Sequence, residues 1–126
     1  MLFATGSVRG AVAPVENTRE GISAATLRLL EQLLAENSLT AGDLVFVLFS
    51  ATKDLNAAYP AAAARTLPDF DSVPMLCLQE MAVEGSMARC LRVLAAISAP
   101  KQDVRHVYLD DAAGLRPDWS EGNEPV

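Results

Sequence analysis

Apolar and polar residues along the chain switch between two spacings, and the switches mark its elements. The clearest segment opens at Asn17-Thr18. Ile22, Ala25, Leu29, Leu30, Leu33 and Leu34 then recur at helical spacing, while Arg19, Glu20, Arg28, Glu31, Gln32 and Glu36 take the opposite face. Thr18 or Asn17 caps this helix, Glu20 complements its dipole, and Asn37-Ser38 closes it. A helix with one apolar stripe needs a sheet to cover, and strand-like segments flank it on both sides. Before it, Phe3, Thr5, Val8 and Val12 alternate with polar or small residues that include Gly6 and Gly10. That pattern predicts a strand within 2–13 with a bulge or a point of close backbone approach. After it, Thr40-Ala41-Gly42-Asp43 makes a turn, and the continuous apolar run 44–49 predicts a central strand.

Residues 50–56 are polar and turn-forming, and Pro60 opens an alanine-rich second helix that runs to Leu67 and carries Arg65. The stretch Val73-Pro74-Met75-Leu76-Cys77-Leu78-Gln79-Glu80-Met81 predicts a buried strand that delivers Cys77 and Glu80 to its end, with Pro74 suited to a strand's first residues. The segment 85–98 fits two patterns: Met87, Leu91, Leu94, Ala95 and Ala96 have helix propensity, yet Cys90-Leu91-Arg92-Val93-Leu94 suits a strand equally. Pro100 ends that segment, and 104–109 alternates as a last short strand with His106 and Tyr108. Beyond Asp110 only Leu115 and Trp119 have much to pack among Gly114, Pro117, Gly122 and Pro125, which predicts a mobile tail from about residue 112. No internal repeat and no linker divides the chain, so 1–126 reads as one domain.

Composition narrows the partners. Of 126 residues, 51% are hydrophobic but only 6% aromatic, so the core is built from Ala, Leu and Val, each of which buries little area. Packing between subunits is the expected source of further stability. A net charge of −6 without a basic run argues against nucleic-acid and anionic-membrane surfaces. Cys77 and Cys90 make neither a zinc spacing nor a disulfide framework, and the single His106 has no acidic cluster beside it, so no metal or other cofactor is expected. With no signal peptide and no membrane-length apolar span, the expectation is a reduced, cytoplasmic protein.

Taken singly, the polar residues are unremarkable: an arginine such as Arg9 commonly faces solvent on the open side of a sheet, Arg65 and Arg116 suit the surface, and Cys77 suits a core. Arg9, Arg65, Cys77, Glu80, Arg92, Tyr108 and Arg116 come from different elements, and only a fold or a meeting of subunits could gather them. In order, however, Val8-Arg9-Gly10-Ala11, Asn17-Thr18, Leu48-Phe49-Ser50-Ala51-Thr52 with Asp54-Leu55, Tyr59-Pro60-Ala61, and Val73-Pro74 through Cys77 to Gln79-Glu80-Met81 form a sequence of motifs. Cys90-Leu91-Arg92-Val93, Arg105-His106-Val107-Tyr108-Leu109 and Leu115-Arg116-Pro117-Asp118 continue it. Together these resemble the monofunctional AroH-class chorismate mutases, nearly end to end.

The resemblance implies an α+β fold, a mixed β-sheet with helices packed on one face, assembled as a homotrimeric pseudo-α/β-barrel with a site at each subunit junction. It also implies that the segment around Arg92 is a strand. The implied reaction is the intramolecular rearrangement of chorismate to prephenate, without cofactor, covalent intermediate or proton transfer. Arg92 would lie against the ether oxygen, where fixed charge meets developing charge. Arg9 and Tyr108 would hold the side-chain carboxylate and the compact conformer, while Glu80 and Cys77 would take the ring hydroxyl. Tyr59, Ala61, Met75 and Leu76 would line the pocket, with Arg65, Leu115 and Arg116 near its mouth. The sequence departs from the family pattern at Ala62, where a lysine can stand, and at Tyr59, where phenylalanine is also found. A Rid-type enamine or imine deaminase on a similar trimeric scaffold and a trimeric ligand-binding module without turnover are the alternatives.

Overall fold

Five strands and two helices form the framework of the chain: β1 (Thr5–Ala13), α1 (Arg19–Glu36), β2 (Leu44–Ala51), α2 (Pro60–Ala64), β3 (Met75–Gln79), β4 (Leu91–Lys101) and β5 (Val107–Asp110). The computed structural model describes residues 5–119. Leu2 and Phe3 of the expected first strand, and Gly122 and Pro125 of the expected tail, lie outside the described residues. The strands form one mixed sheet in the order β3-β2-β4-β1-β5. β4 is antiparallel to both β1 and β2, and the outer pairs β1–β5 and β2–β3 are parallel.

Strand β4 settles the segment that fitted two patterns. Residues 91–97 alternate buried and half-buried, the signature of a strand with one face on a core, and pairing on both edges overrides helix propensity. Pro100 does not end the element. It sits inside β4, in an irregular stretch where the register with β1 jumps from Ala96 opposite Ser7 to Lys101 opposite Thr5, so its missing N–H costs no regular ladder bond. The same irregularity is the bulge expected near Gly6. Gly10 supplies the close approach, because a Cβ there would stand 2.8 Å from the Val107 carbonyl oxygen and 3.1 Å from Leu29.

Helix α1 begins where its cap predicts, with the Thr18 hydroxyl accepting from the Gly21 N–H at 2.9 Å. Its buried stripe is Ile22, Thr26, Leu29, Leu30 and Leu33, with Thr26 donating back to the Ile22 carbonyl. These side chains cover Val8, Val12, Val47, Phe49, Leu91, Val93, Ala95 and Val107 on one sheet face. Helix α2 is shorter than expected and stops at Ala64 with Arg65 as its cap, because Thr66 turns back to the Ala63 carbonyl through both N–H and hydroxyl. A capping box at Thr40 closes the turn Ala41–Asp43.

Two expectations about burial change. The run 44–49 is interior but not central, since β4 holds the middle. The strand at 75–79 lies on the sheet edge: Met75 and Cys77 pack against the helix-side core, whereas Leu76 and Leu78 are 62% and 52% exposed on the other face. A continuous apolar run therefore marks here not a strand buried on both sides but one whose outer face is left open. Phe46, at 37% exposure, extends that open face onto β2. The chain after β5 forms two short 3₁₀ turns, Asp111–Leu115 and Pro117–Trp119, and the first buries Ala112 against Ala11, Ala13, Cys90 and Tyr108. Among the described residues no helix is long and apolar enough to cross a membrane.

Candidate active site

Sheet register gathers the polar residues. Arg92 on β4 is opposed by Ser50 on β2 and Ala11 on β1, and Ala11 is opposed in turn by Tyr108 on β5. Directly opposed residues share a face, so Ser50, Arg92 and Tyr108 stand in one row across the face that the helices leave open. Arg9, two residues before Ala11, projects from that same face. Glu80 reaches the row from just past the end of β3, its N–H donating to the Ala51 carbonyl at 2.9 Å.

Arg92 and Glu80 form an ion pair, Nε to Oε2 at 3.0 Å, with about a third or less of each side chain exposed. The Nε–H is not aligned on the carboxylate, so the contact is one of charge rather than a directed hydrogen bond. The other Glu80 oxygen, Oε1, accepts from the Met81 N–H at 2.9 Å. The buried Cys90 thiol lies against the Arg92 guanidinium; desolvation raises its pKa more than that cation lowers it, which keeps it a thiol and a poor nucleophile. Tyr108 is buried, and desolvation raises its pKa against the opposing influence of Arg9, Arg116 and Arg92, so the phenol stays a neutral donor among cations.

The supports behind this row are local. The Cys90 N–H donates to the Thr52 hydroxyl at 3.0 Å and the Thr52 N–H to the Cys90 carbonyl at 3.1 Å, tying the start of β4 to the end of β2. Asp54 accepts from the Arg89 N–H and from the Thr52 hydroxyl, which clamps the turn before Cys90. On the other side the Arg9 N–H donates to His106 Nδ1 at 3.0 Å. Arg116, whose charge also acts on Tyr108 and His106, forms a bidentate pair with Asp118 at 2.7 and 3.1 Å. Leu115 packs beside Tyr108 and Ala112.

The remaining expected residues are elsewhere. Tyr59 and Cys77 line a cleft of about 780 Å³ between α2, β3 and the start of α1, on the helix side of the sheet. Ala62 lines the same cleft, whose cations among the described residues are Arg19 and Lys53. Asn17 shapes the wall by accepting from the Asn56 and Ala57 N–H groups at 3.0 Å each. Ala61 and Met75 pack toward the core behind the cleft, Leu76 lies on the open face, and Arg65 is exposed outside the cleft lining. Lys53 and Thr52 also border a smaller hollow of about 240 Å³ beside Glu80 and Met81. Within one chain, then, Arg92, Glu80, Arg9, Tyr108, Leu115 and Arg116 come together, and Tyr59 and Cys77 come together, on opposite faces of the sheet.

Sequence reasoning passed over Ser50, Cys90 and His106 as neighbours of these groups. Ser50 has the same strand parity as Leu48 and the opposite parity to Phe49, a signal that was available once the run 44–49 was known to continue as a strand. Among the described residues no group of three or more His, Cys, Asp or Glu side chains could hold a metal ion.

Comparison with known proteins agrees with this architecture. The family model for chorismate mutase type I matches residues 5–119. The chain is 42% identical over 115 residues to chorismate mutase AroH of Bacillus subtilis (strain 168), covering 90% of this chain and 91% of that one. It is 43% identical over 114 residues to chorismate mutase AroH of Thermus thermophilus, covering 88% and 93% respectively. Among solved structures, a chorismate mutase from Clostridium thermocellum superposes with a TM-score of 0.82 at 37% identity, over 88% of this chain and all of that one. With the mixed sheet, the one-sided helices and the Arg92–Glu80 row already in place, these matches establish that the chain belongs to the type I chorismate mutase family.

Proposed function

We propose that the protein is an isomerase that rearranges chorismate to prephenate in cytoplasmic aromatic amino acid biosynthesis, at sites completed between the subunits of a homotrimer. In this reaction the ether C–O bond breaks while a C–C bond forms within the same molecule. Every atom of substrate is retained in product, and no proton or electron leaves. The catalyst therefore has to bind a dianion, hold its compact conformer and stabilise the ether oxygen as negative charge gathers there.

Arg92 meets the last requirement. Its guanidinium is held by Glu80 and Cys90 against a protein wall, so it meets the developing charge without reorganising. Arg9 and Tyr108, one a cation and one a neutral donor, suit the side-chain carboxylate and restrict the conformer. Glu80 accepts from the ring hydroxyl. Cys90 and Cys77 serve as walls and weak donors rather than nucleophiles, in keeping with chemistry that needs no covalent step. The isomerase reading takes precedence over a deaminase or a passive binding module because the chain matches chorismate mutases along almost its whole length.

The observation that carries the subunit-junction site is the separation of the two residue groups by the sheet itself. Tyr59 and Cys77 cannot reach a ligand on Arg92 of the same chain through packed β2 and β4, but the same residues of a neighbouring copy can. The open face, with Leu76, Leu78 and Phe46 exposed, offers apolar area for that copy to cover. We place Ala61, Met75, Leu76, Leu115, Arg65 and Arg116 around the resulting pocket and its mouth.

Mixing two inactive variants tests the junction. Arg92→Ala removes one half of each site, and Tyr59→Asp, at a position 75% exposed, sets a negative charge in the other half without touching the core. Each variant alone should be nearly inactive on chorismate. After subunit exchange, about a quarter of the junctions in a random mixture carry both intact halves, so roughly that share of wild-type turnover should return. No recovery after demonstrated exchange would place both halves in one chain and discard the junction.

A further inference from the structure

Ser50 stands directly opposite Arg92 across the β2–β4 ladder, on the open face of the sheet. Its Oγ is buried and has no hydrogen-bond partner among the described residues. Buried hydroxyls are bonded as a rule, and one left alone beside a site residue calls for a specific occupant. The Arg92 Nε–H is likewise buried without an aligned acceptor, although Glu80 Oε2 lies only 3.0 Å away. Directly opposed side chains leave their strands with Cβ atoms about 5 Å apart, so the two side chains are neighbours on this face.

Among the described residues, no acceptor is bonded to either donor. Glu80 Oε1 is taken by the Met81 N–H and the Ala51 carbonyl by the Glu80 N–H. The Thr52 hydroxyl receives the Cys90 N–H and gives its proton to Asp54. Leu78, opposed to Ser50 on its other side, brings no polar atom. Two unfulfilled donors, one charged and one neutral, thus project from opposed positions on the same face of the sheet.

We infer that the Ser50 hydroxyl donates to the same substrate oxygen that Arg92 faces, which makes Ser50 a further catalytic residue; the inference rests on the chorismate mutase reading of the site. Arg92 contributes charge with little directionality, and Ser50 contributes a short, directed hydrogen bond from the sheet surface. Because the ether oxygen becomes more negative as its bond to carbon lengthens, the hydroxyl binds it more strongly in the transition state than in the ground state. Its contribution therefore falls on kcat rather than on KM.

The experiment is steady-state turnover of chorismate by the whole protein as wild type, Arg92→Ala, Ser50→Ala and Ser50→Thr, with thermal unfolding of each. Loss of a sole neutral donor to an oxyanion costs about 10²–10³-fold in kcat; with Arg92 still present, Ser50→Ala should lose roughly 10–100-fold, with KM changed by less than about threefold. Ser50→Thr keeps the hydroxyl on a residue suited to a strand and should restore most of kcat. The Tm of Ser50→Ala should equal or exceed that of wild type, because a methyl replaces a polar atom that the empty site leaves unpartnered. Unchanged kcat in Ser50→Ala, as expected if a bound water occupies the position, would overturn the inference. So would a loss that tracks a lowered Tm, or a folded Ser50→Thr that fails to recover. If wild type turns over chorismate and Arg92→Ala does not, a wild-type-like Ser50→Ala sinks this inference alone, whereas an inactive wild type sinks the reading beneath it as well.

Discussion

The two faces of this sheet solve different problems with the same strands. On the helix side, Val8, Val12, Val47, Phe49, Leu91 and Val93 interlock with Leu29, Leu30 and Leu33, all close to fully buried. On the other side the same strands present Arg9, Arg92, Ser50 and Tyr108, flanked by the exposed Leu76, Leu78 and Phe46. A strand's period of two lets each residue be assigned to one task without disturbing its neighbour. The consequence is a division of labour: stability is concentrated on one face and charge on the other. It also explains why a small protein can hold an arginine rigidly, since the packed face fixes the strand from which Arg92 projects.

Removing the charge is the sharpest way to break that division. Arg92→Ala should lower kcat by about 10³-fold or more, since even one neutral donor to an oxyanion is worth ~3–4 kcal/mol. Its unfolding midpoint should stay near that of wild type, because the partner it strands, Glu80, is partly exposed and can rehydrate. Rate and denaturant unfolding measured on one preparation decide the point. A collapse of both together would mean that the open face also holds the fold.

The converse variant is Leu29→Ala. Leu29 is fully buried in the centre of α1 and reaches the sheet at Gly10, on the face opposite the charged row. Truncation should cost about 2–5 kcal/mol of stability through lost burial and a residual cavity. Turnover per folded molecule, measured well below the unfolding midpoint, should remain within about threefold of wild type. A large fall in kcat with stability intact would join the two faces into one functional unit.

How far these faces were legible differed by residue. Helix α1 was readable from its cap to its last turn because cap, stripe and dipole all agree. The segment around Arg92 was not, since Leu, Met and Ala there favour helix, and only pairing with β1 and β2 makes it a strand. The edge placement of Met75–Gln79 was hidden for a related reason. A continuous apolar run is what a strand buried on both faces shows, and also what one with an uncovered outer face shows. Arg9, Glu80, Arg92 and Tyr108 became candidates through their order along the chain, while their meeting is set by register, which no local pattern encodes. The family resemblance named Cys77 and Glu80 together, but strand parity sends Cys77 toward the core and leaves Glu80 beside Arg92.

The smallest expected effect concerns His106, which holds the Arg9 backbone just before β5 begins to pair with β1. The Arg9 N–H donates to Nδ1, so the ring must be unprotonated at that nitrogen. Burial chiefly, then the Arg9 and Arg116 charges, push the His106 pKa below its ordinary 6.5, and Asp118 only partly opposes them. A folded-state pKa below the unfolded one means that the unfolded chain binds more protons between the two values, so stability rises with pH there. On acidification the contribution of neutral His106 begins to be lost near pH 6.5 and is gone below its folded pKa. The carboxylates with lowered values, Asp54, Asp110 and Asp118, act in the same direction, but only at and below their ordinary 3.8, which keeps the two windows apart. Thermal unfolding at about pH 7.5 and 5.5 should therefore show a drop in Tm for wild type that shrinks in His106→Asn, whose amide oxygen can still accept from Arg9 without titrating. Equal drops in the two proteins would mean that His106 titrates normally, and that Arg9 is held by the packing of β1 rather than by the imidazole.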